Sequence, residues 1–357
     1  MKFKRMMILL GIFSCVICSS VTGCGGQDDK SNAKVIFTTG PGKNEIFRIG
    51  DMTCEKDELM VYLTNTQNQY EGVYSEKIWN TSLDGVTLEQ NVKDTVLERL
   101  AQVKTMYLMA KDKGIELTKQ EEEILEKAAK EYYKSLNETE INMMDVSEDT
   151  IYSIYEQYLM ANKLYQSIIQ DVNPEISDDE ARIITVQHIF LRTYSKDADG
   201  NKVTLYGDKK IKLYDKACSI RQKAVEPEAD FAELAAQYSD DKKLTYSFGR
   251  GEMDIAFENA AFKLDTNGIS DVVESESGYH IIKCINTYDK DETEANKLVV
   301  REKRKNEAFG REYDAFVAAN AKRLNDELWA TIGLIHNAQV KTTSLFEVYD
   351  KYFQTNK

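Results

Sequence analysis

Two stretches decide how this chain is read: Ile183-Ile184-Thr185-Val186-Gln187-His188-Ile189-Phe190-Leu191 and Ser277-Gly278-Tyr279-His280-Ile281-Ile282. The first is an apolar run rich in β-branched residues, as a buried strand is; the second leads from a small-residue turn into a strand over Tyr279 to Ile285. Each carries one of only three histidines in the 357 residues, His336 being the third. A histidine in an apolar strand is most often a satisfied core residue. If the two strands pair in the middle of one sheet, though, the imidazoles face each other across neighbouring strands, with donor and acceptor nitrogens in reach.

Between these strands the pattern is that of a small α+β domain over residues 183–287. A polar, glycine-containing loop, Tyr194 to Lys209, precedes helices at about Lys210–Val225 and Asp230–Tyr238. A loop rich in Ser, Asp and Lys follows, then Gly249 and Gly251, a helix at Phe257–Phe262 and a turn at Thr266-Asn267-Gly268. Upstream, residues 35–176 read as a helical domain. Two apolar runs between Val35 and Gly50 suggest a hairpin turning through Thr38 to Asn44. Val92, Val96, Leu100, Val103 and Tyr107 then give a helix from Leu88 to Ala110, stopped by Gly114. Thr118 with Glu121 boxes the start of a helix from Lys119 to Leu136, and another runs from Glu148 to Gln170. Pro174, and a capping box at Ser177 and Glu180, mark the boundary. Downstream, 290–335 reads as a charged helix that packs back on the N-terminal domain through Leu298, Phe309, Tyr313, Phe316 and Trp329. Residues 336–357 are left as a tail.

The first residues read as an address. Lys2, Lys4 and Arg5 precede an apolar run from Met6 to Val21 that is too short to span a bilayer and ends in small residues, so 1–23 is expected to be an export signal. Val21-Thr22-Gly23-Cys24 resembles the lipobox of bacterial lipoproteins, with Val21 where Leu is usual. The resemblance implies acylation of Cys24, a flexible tether over 24–34, and attachment at the outer face of the cell membrane. The net charge of −14 and the absence of any basic stripe argue against nucleic acid. Cys54, Cys218 and Cys284 are scattered without CxxC spacing, which gives neither a disulfide framework nor a zinc site, and no metal or cofactor is implied.

The blocks around the two histidines resemble the parvulin family of prolyl isomerases, over about Thr185 to Asn286. The family opens on a strand carrying histidine followed by aliphatics, as Val186-Gln187-His188-Ile189 does. Its Asp-Phe-x-x-Leu-Ala and Tyr-Ser-x-Asp blocks are matched by Asp230 to Ala235 and Tyr238 to Asp241. Its pocket segment is matched by Phe248-Gly249-Arg250-Gly251-Glu252-Met253 and Phe257 to Phe262, and its closing strand by Ser277 to Ile282. The resemblance implies an antiparallel parvulin-like sheet with surrounding helices, inserted between the N-terminal helices and a C-terminal helix of an all-α chaperone-like domain. It assigns the polar side of the site to His188, His280, Asp241 and Ser275, and the proline seat to Met253, Phe257, Phe262 and Phe248. One departure stands out: Lys242 to Ser247 runs straight on where the family usually inserts a Gly-Gly-Asp-Leu-Gly loop. The loop Tyr194 to Lys209 replaces the basic patch of phosphate-directed parvulins, so no phosphoserine-proline preference is expected.

Rotation of an X-Pro bond crosses a barrier of about 18–20 kcal/mol without breaking any bond, so a partly dry apolar slot beside a few oriented polar groups suffices. The flanking helices fit secreted foldase lipoproteins of the PrsA type and SurA-like chaperones, which implies unfolded or proline-containing exported polypeptides as partners. The alternative is a catalytically silent holdase lipoprotein on the same scaffold. A solute-binding lipoprotein is disfavoured, because the long helical half offers no second α/β lobe.

Overall fold

The computed structural model describes residues 41–83, 85–173, 175–197 and 201–353. The signal segment, Cys24, the tether and the first half of the expected N-terminal hairpin lie outside the described residues. In chain order, strands β1 Glu45–Ile49 and β2 Met52–Glu55 precede helix α1 Lys56–Tyr74. The short strands β3 Ser82–Leu83 and β4 Val86–Thr87 lead to α2 Leu88–Asp112, α3 Lys119–Ser135, α4 Glu138–Met144 and α5 Glu148–Ile169. Next come α6 Asp178–Ala181, β5 Ile184–Arg192, β6 Tyr194–Lys196, β7 Lys202–Thr204, α7 Asp208–Ala224 and α8 Phe231–Tyr238. Then follow β8 Thr245–Phe248, α9 Ile255–Ala261, β9 Val273–Glu274, β10 Gly278–Asn286, α10 Lys290–Ala319, β11 Lys322–Leu324, α11 Asp326–Trp329 and α12 Leu345–Phe353. The chain divides into two units, one built from residues up to 172 together with 306–357, the other from 173–305.

The first unit is mostly helical. Thr87 caps α2 by accepting from the amide of Gln90, and Gly114, at φ +69, ends it in a backbone region few other residues enter cheaply. Thr118 and Glu121 form the complete reciprocal box ahead of α3, and Ser147 with Thr150 does the same for α5. The apolar faces of α1, α2, α3 and α5 meet in one core through Leu59, Leu63, Leu100, Leu125, Tyr132, Ile151 and Tyr155. One charge is sealed beside that core: Lys104 Nζ lies 2.8 Å from Glu58 Oε2 and 3.0 Å from Gln157 Oε1, and both ionic side chains are almost fully buried.

A tight turn at Gly50-Asp51 joins β1 to β2, while the expected turn through Thr38 to Asn44 lies partly outside the described residues. Three expectations for this unit are corrected. The helix expected over 290–335 stops at Ala319, where Asn320 Nδ2 donates to the carbonyl of Phe316. Beyond it β11 joins β1, pairing Leu324 with Phe47, so a three-stranded sheet ordered β11-β1-β2 stands in what was read as an all-helical domain. Residues 336–353 are no tail, since α12 buries Leu345, Val348 and Tyr349 in the core. The irregular stretch before α12 finds its backbone partners on α1 and α4. Gln67 accepts from Ile335 N and donates to Ile335 O, each at 2.9 Å, Asn68 donates to Thr342 O, and Glu140 accepts from the amides of Lys341 and Thr342.

The second unit is built on an antiparallel sheet ordered β8-β5-β10-β9, with the two nine-residue strands in the middle. Ile282 stands opposite His188 and His280 opposite Phe190, and the one irregularity, near Cys284, lies beyond them. Because side chains alternate, Ile184, Val186, His188, Phe190, His280 and Ile282 share one face. Ile189, Leu191, Tyr279 and Ile281 line the other, covered by Ala217 and Ile220 of α7 and Phe231 and Ala235 of α8. The first face is packed by Phe257 and Ala261 of α9, with Phe248, against Ile184, Val186 and Ile282. At seven residues α9 is about 10 Å long, so it covers only part of a strand pair of about 30 Å. The histidines fall at the margin of that cover: His188 is buried, whereas His280 and Phe190 are half-buried.

Two loops of the sequence reading are strands here. The polar stretch after Thr193 holds the paired strands β6 and β7, and the run from Lys242 leads into β8, which pairs Tyr246 with Val186. At Ser177 only one half of the expected box forms, the side chain accepting from the amide of Glu180.

Candidate active site

The two strand histidines meet. Their Nδ1 atoms are 3.4 Å apart, the ring centroids 5.6 Å apart and the planes 18° from parallel. They are diagonal rather than directly opposite neighbours, because the register sets His280 against Phe190. Phe190 stacks on His280 at 4.8 Å, and the Phe257 ring meets both imidazoles edge-on, at 5.6 Å from His188 and 5.1 Å from His280.

Each outer nitrogen has its own partner. Nε2 of His188 lies 3.3 Å from the carbonyl of Lys243 and 3.4 Å from Oδ2 of Asp241, while Nε2 of His280 lies 2.8 Å from Oγ of Ser275. The partners fix the tautomers. Both neighbours of His188 Nε2 are acceptors, so this nitrogen carries the proton and Nδ1 is left with a lone pair. His280 then donates from Nδ1 to His188, and its bare Nε2 accepts from the Ser275 hydroxyl. That hydroxyl has a second acceptor in Gly278 O at 3.2 Å, but the imidazole is nearer. The hydrogen bonds therefore run one way, from Ser275 through both rings to Asp241.

The electrostatics agree with neutral rings. Burial, reinforced by the neighbouring His188, pushes the His280 imidazole down to about 4. Burial likewise lowers His188, with Asp241 opposing it. Asp241 is lowered as well, which for a carboxyl favours the charged form: burial resists its ionisation, but hydrogen bonds from the Tyr246 hydroxyl and the Lys243 amide, together with His188, hold it below the usual range. The site at neutral pH is thus a carboxylate beside two uncharged imidazoles.

The residues expected to seat a proline ring separate into two layers. Met253 and Phe262 are half-buried. Phe257, about 1% exposed, forms the floor beneath the imidazoles. Phe248 is a correction: it is sealed in the core, with centroids 5.8 Å from Phe257 and 5.9 Å from Phe262, and packs against these rings instead of lining a surface. The turn that carries Met253 is held by two carboxylates. Glu252 accepts from Gly249 N at 2.9 Å and the buried Glu258 from Gly251 N at 2.6 Å, with Gly251 at φ +84. Two contributors were missed in the sequence, Phe190 and Tyr246. Phe190 was legible by alternation from His188; Tyr246 was hidden by reading its segment as a loop.

Among the described residues no group of three or more His, Cys, Asp or Glu side chains is placed to hold a metal ion. Cys54 and Cys284 are buried free thiols and Cys218 is half-buried.

Residues 188–286 match the model of the rotamase family, the PPIC-type PPIase domain. A peptidyl-prolyl cis-trans isomerase Pin1 from Digitalis lanata is 36% identical over 109 residues, 28% of this chain and 89% of the relative. With a histidine pair on a four-stranded antiparallel sheet, these matches define a prolyl isomerase of parvulin class. The chain belongs to the parvulin family of peptidyl-prolyl cis-trans isomerases. A foldase protein PrsA from Caldanaerobacter subterraneus is 29% identical over 257 residues, 69% of this chain and 75% of the relative. The crystal structure of the peptidylprolyl isomerase PrsA from Bacillus cereus aligns over 76% of this chain and 97% of its own, at 20% identity and a TM-score of 0.35.

Proposed function

We propose that the chain is a foldase at the outer face of the cell membrane, anchored through lipid on Cys24, which catalyses rotation about X-Pro bonds in exported polypeptides and holds unfolded segments while they fold. The observation that carries this reading is the 3.4 Å contact between two imidazoles that burial keeps uncharged. Rotation costs the amide its resonance and returns electron density from the carbonyl oxygen to nitrogen. A dry aromatic surface favours the less polar twisted state over the planar one, and fixed polar groups can orient the carbonyl as it turns. Met253 and the Phe257 floor form the apolar seat, while His188, His280, Asp241 and Ser275 form the oriented polar edge. The name foldase carried by the PrsA relative supports the folding role.

The test is an isomerisation assay on an X-Pro tetrapeptide with wild type and a His280→Ala/Met253→Ala double variant of the full chain. Wild type should accelerate the reaction and the double variant should lose at least about tenfold in kcat/KM. Equal background rates in both would leave only the holdase reading. For the anchor, Cys24→Ser should release the protein from the membrane fraction, and retention there would overturn lipid attachment through Cys24.

A further inference from the structure

Asp241 stands on a short link between α8 and β8, and that link is fastened to β5 throughout. Phe190 N donates to Ser239 Oγ at 3.1 Å, Asp240 N donates to Phe190 O at 2.7 Å, and His188 N donates to Leu244 O at 2.9 Å. The Asp241 carboxylate itself is held by fewer bonds. Lys243 N donates to Oδ1 at 3.1 Å, and Tyr246 donates to Oδ2, the oxygen beside His188, at 2.7 Å. Tyr246 pairs with Val186 on β5, so its side chain rises on the same face as His188, where its ring meets the imidazole edge-on at 5.1 Å and 82°. Lys243 Nζ closes the outer side, 4.4 Å from the Tyr246 ring centre. One tyrosine therefore touches both ends of the contact between Asp241 and His188.

We propose that Tyr246 is a positioning residue for the isomerase site, its hydroxyl fixing the Asp241 carboxylate against Nε2 of His188 while its ring limits the imidazole. The role follows from the directness of this stretch, since the short path from Asp241 to β8 brings a strand side chain to the rim. It rests on the isomerase reading of the same site. A hydrogen bond to a charged group is among the stronger single contacts, and this one keeps Asp241 aimed and ionised. The groups acting on Asp241 are His188 on β5 with His280 on β10 behind it, the Lys243 amide on the link, and Tyr246 on β8. Asp254, ahead of α9, acts on His280 from the far side.

The test is a double-mutant cycle in the full chain, with Tyr246→Phe, Asp241→Asn and their combination assayed for kcat and KM on an X-Pro tetrapeptide from about pH 3 to 8. Tyr246→Phe keeps the ring and should lower kcat/KM about tenfold, mostly in kcat. In the Asp241→Asn background the same change should have no further effect. The acid limb of kcat/KM should move to higher pH in Tyr246→Phe, because Asp241 loses a donor that favours its charged form. A wild type without turnover overturns the isomerase reading and the positioning role with it. An active wild type overturns the positioning role alone if Tyr246→Phe keeps full rate, or loses the same factor in both backgrounds.

Discussion

Oγ of Ser275 stands 2.8 Å from Nε2 of His280, the ring nitrogen that His188 does not touch. This contact completes a chain of hydrogen bonds whose direction is set at the far end, by the two acceptors beside His188 Nε2. Ser275→Ala should therefore leave the fold intact and lower kcat/KM about fivefold, the scale of one neutral hydrogen bond, whereas Ser275→Thr should retain most of the rate. Steady-state isomerisation of an X-Pro tetrapeptide checks both; an alanine variant as fast as wild type would remove Ser275 from the site.

Acid should weaken the protein through these rings. His280 has its pKa lowered in the folded state to about 4, against the ordinary 6.5. Between those values the unfolded chain binds more protons than the native one, so stability rises with pH across the window and is lost as pH falls from about 6.5 towards 4. For one imidazole the loss is on the order of 2 kcal/mol once partial exposure is discounted. Thermal unfolding of wild type and His280→Leu from pH 4 to 7 should show a shallower acid decline in the variant.

Phe257 and Met253 should separate stability from activity. Phe257 is buried among Phe248, Ala261 and the imidazoles, so Phe257→Ala leaves a cavity and should cost about 3–5 kcal/mol. Met253 is half-buried at the rim, and Met253→Ala should cost about 1 kcal/mol or less while raising KM for the tetrapeptide. Urea unfolding beside steady-state kinetics distinguishes the two. Equal destabilisation by both would place Met253 in the core.

Lys104 and Glu58 test the helical unit independently. Removing one partner leaves a buried charge alone, so Lys104→Met should destabilise by about 3–5 kcal/mol. The Lys104→Met/Glu58→Leu pair should recover most of that, since a packed apolar replacement removes the desolvation cost altogether. Denaturant midpoints of the three proteins decide it, and a double variant as weak as the single would show that the polar network itself is required.

The sequence made the isomerase unit legible wherever local pattern and tertiary need coincide. The β-branched run to Leu191 and the closing strand from Gly278 could satisfy their backbones only by pairing, and the alternation that buries Val186 and Ile189 also presents His188. Helices with side-chain caps, such as those started by Thr118 and Ser147, were readable for the same reason. What stayed hidden was decided at long range. β8 holds two hydroxyl residues and two aromatics in four positions and reads as a strand only because β5 offers it an edge. β11, Lys-Arg-Leu, has no strand signal of its own and is recruited by β1. The stretch from Ile335 to Leu345 has no periodicity at all, because its partners are the side chains of Asn65, Gln67, Asn68 and Glu140. Tyr246 escaped notice with its strand, and Phe248 was overvalued because a motif gives an aromatic's position without its depth.

The clasp between Gln67 and Ile335 imposes an order of events on synthesis. Residues 173–305 are complete before the enclosing unit has received α12, whose Leu345 and Tyr349 belong to its core. A chain emerging from its N-terminus can therefore finish the histidine-bearing sheet first, while the helices ahead of it wait for the last stretch to be delivered. Deleting residues 336–353 should accordingly unravel helices made some two hundred residues earlier and spare the inserted sheet.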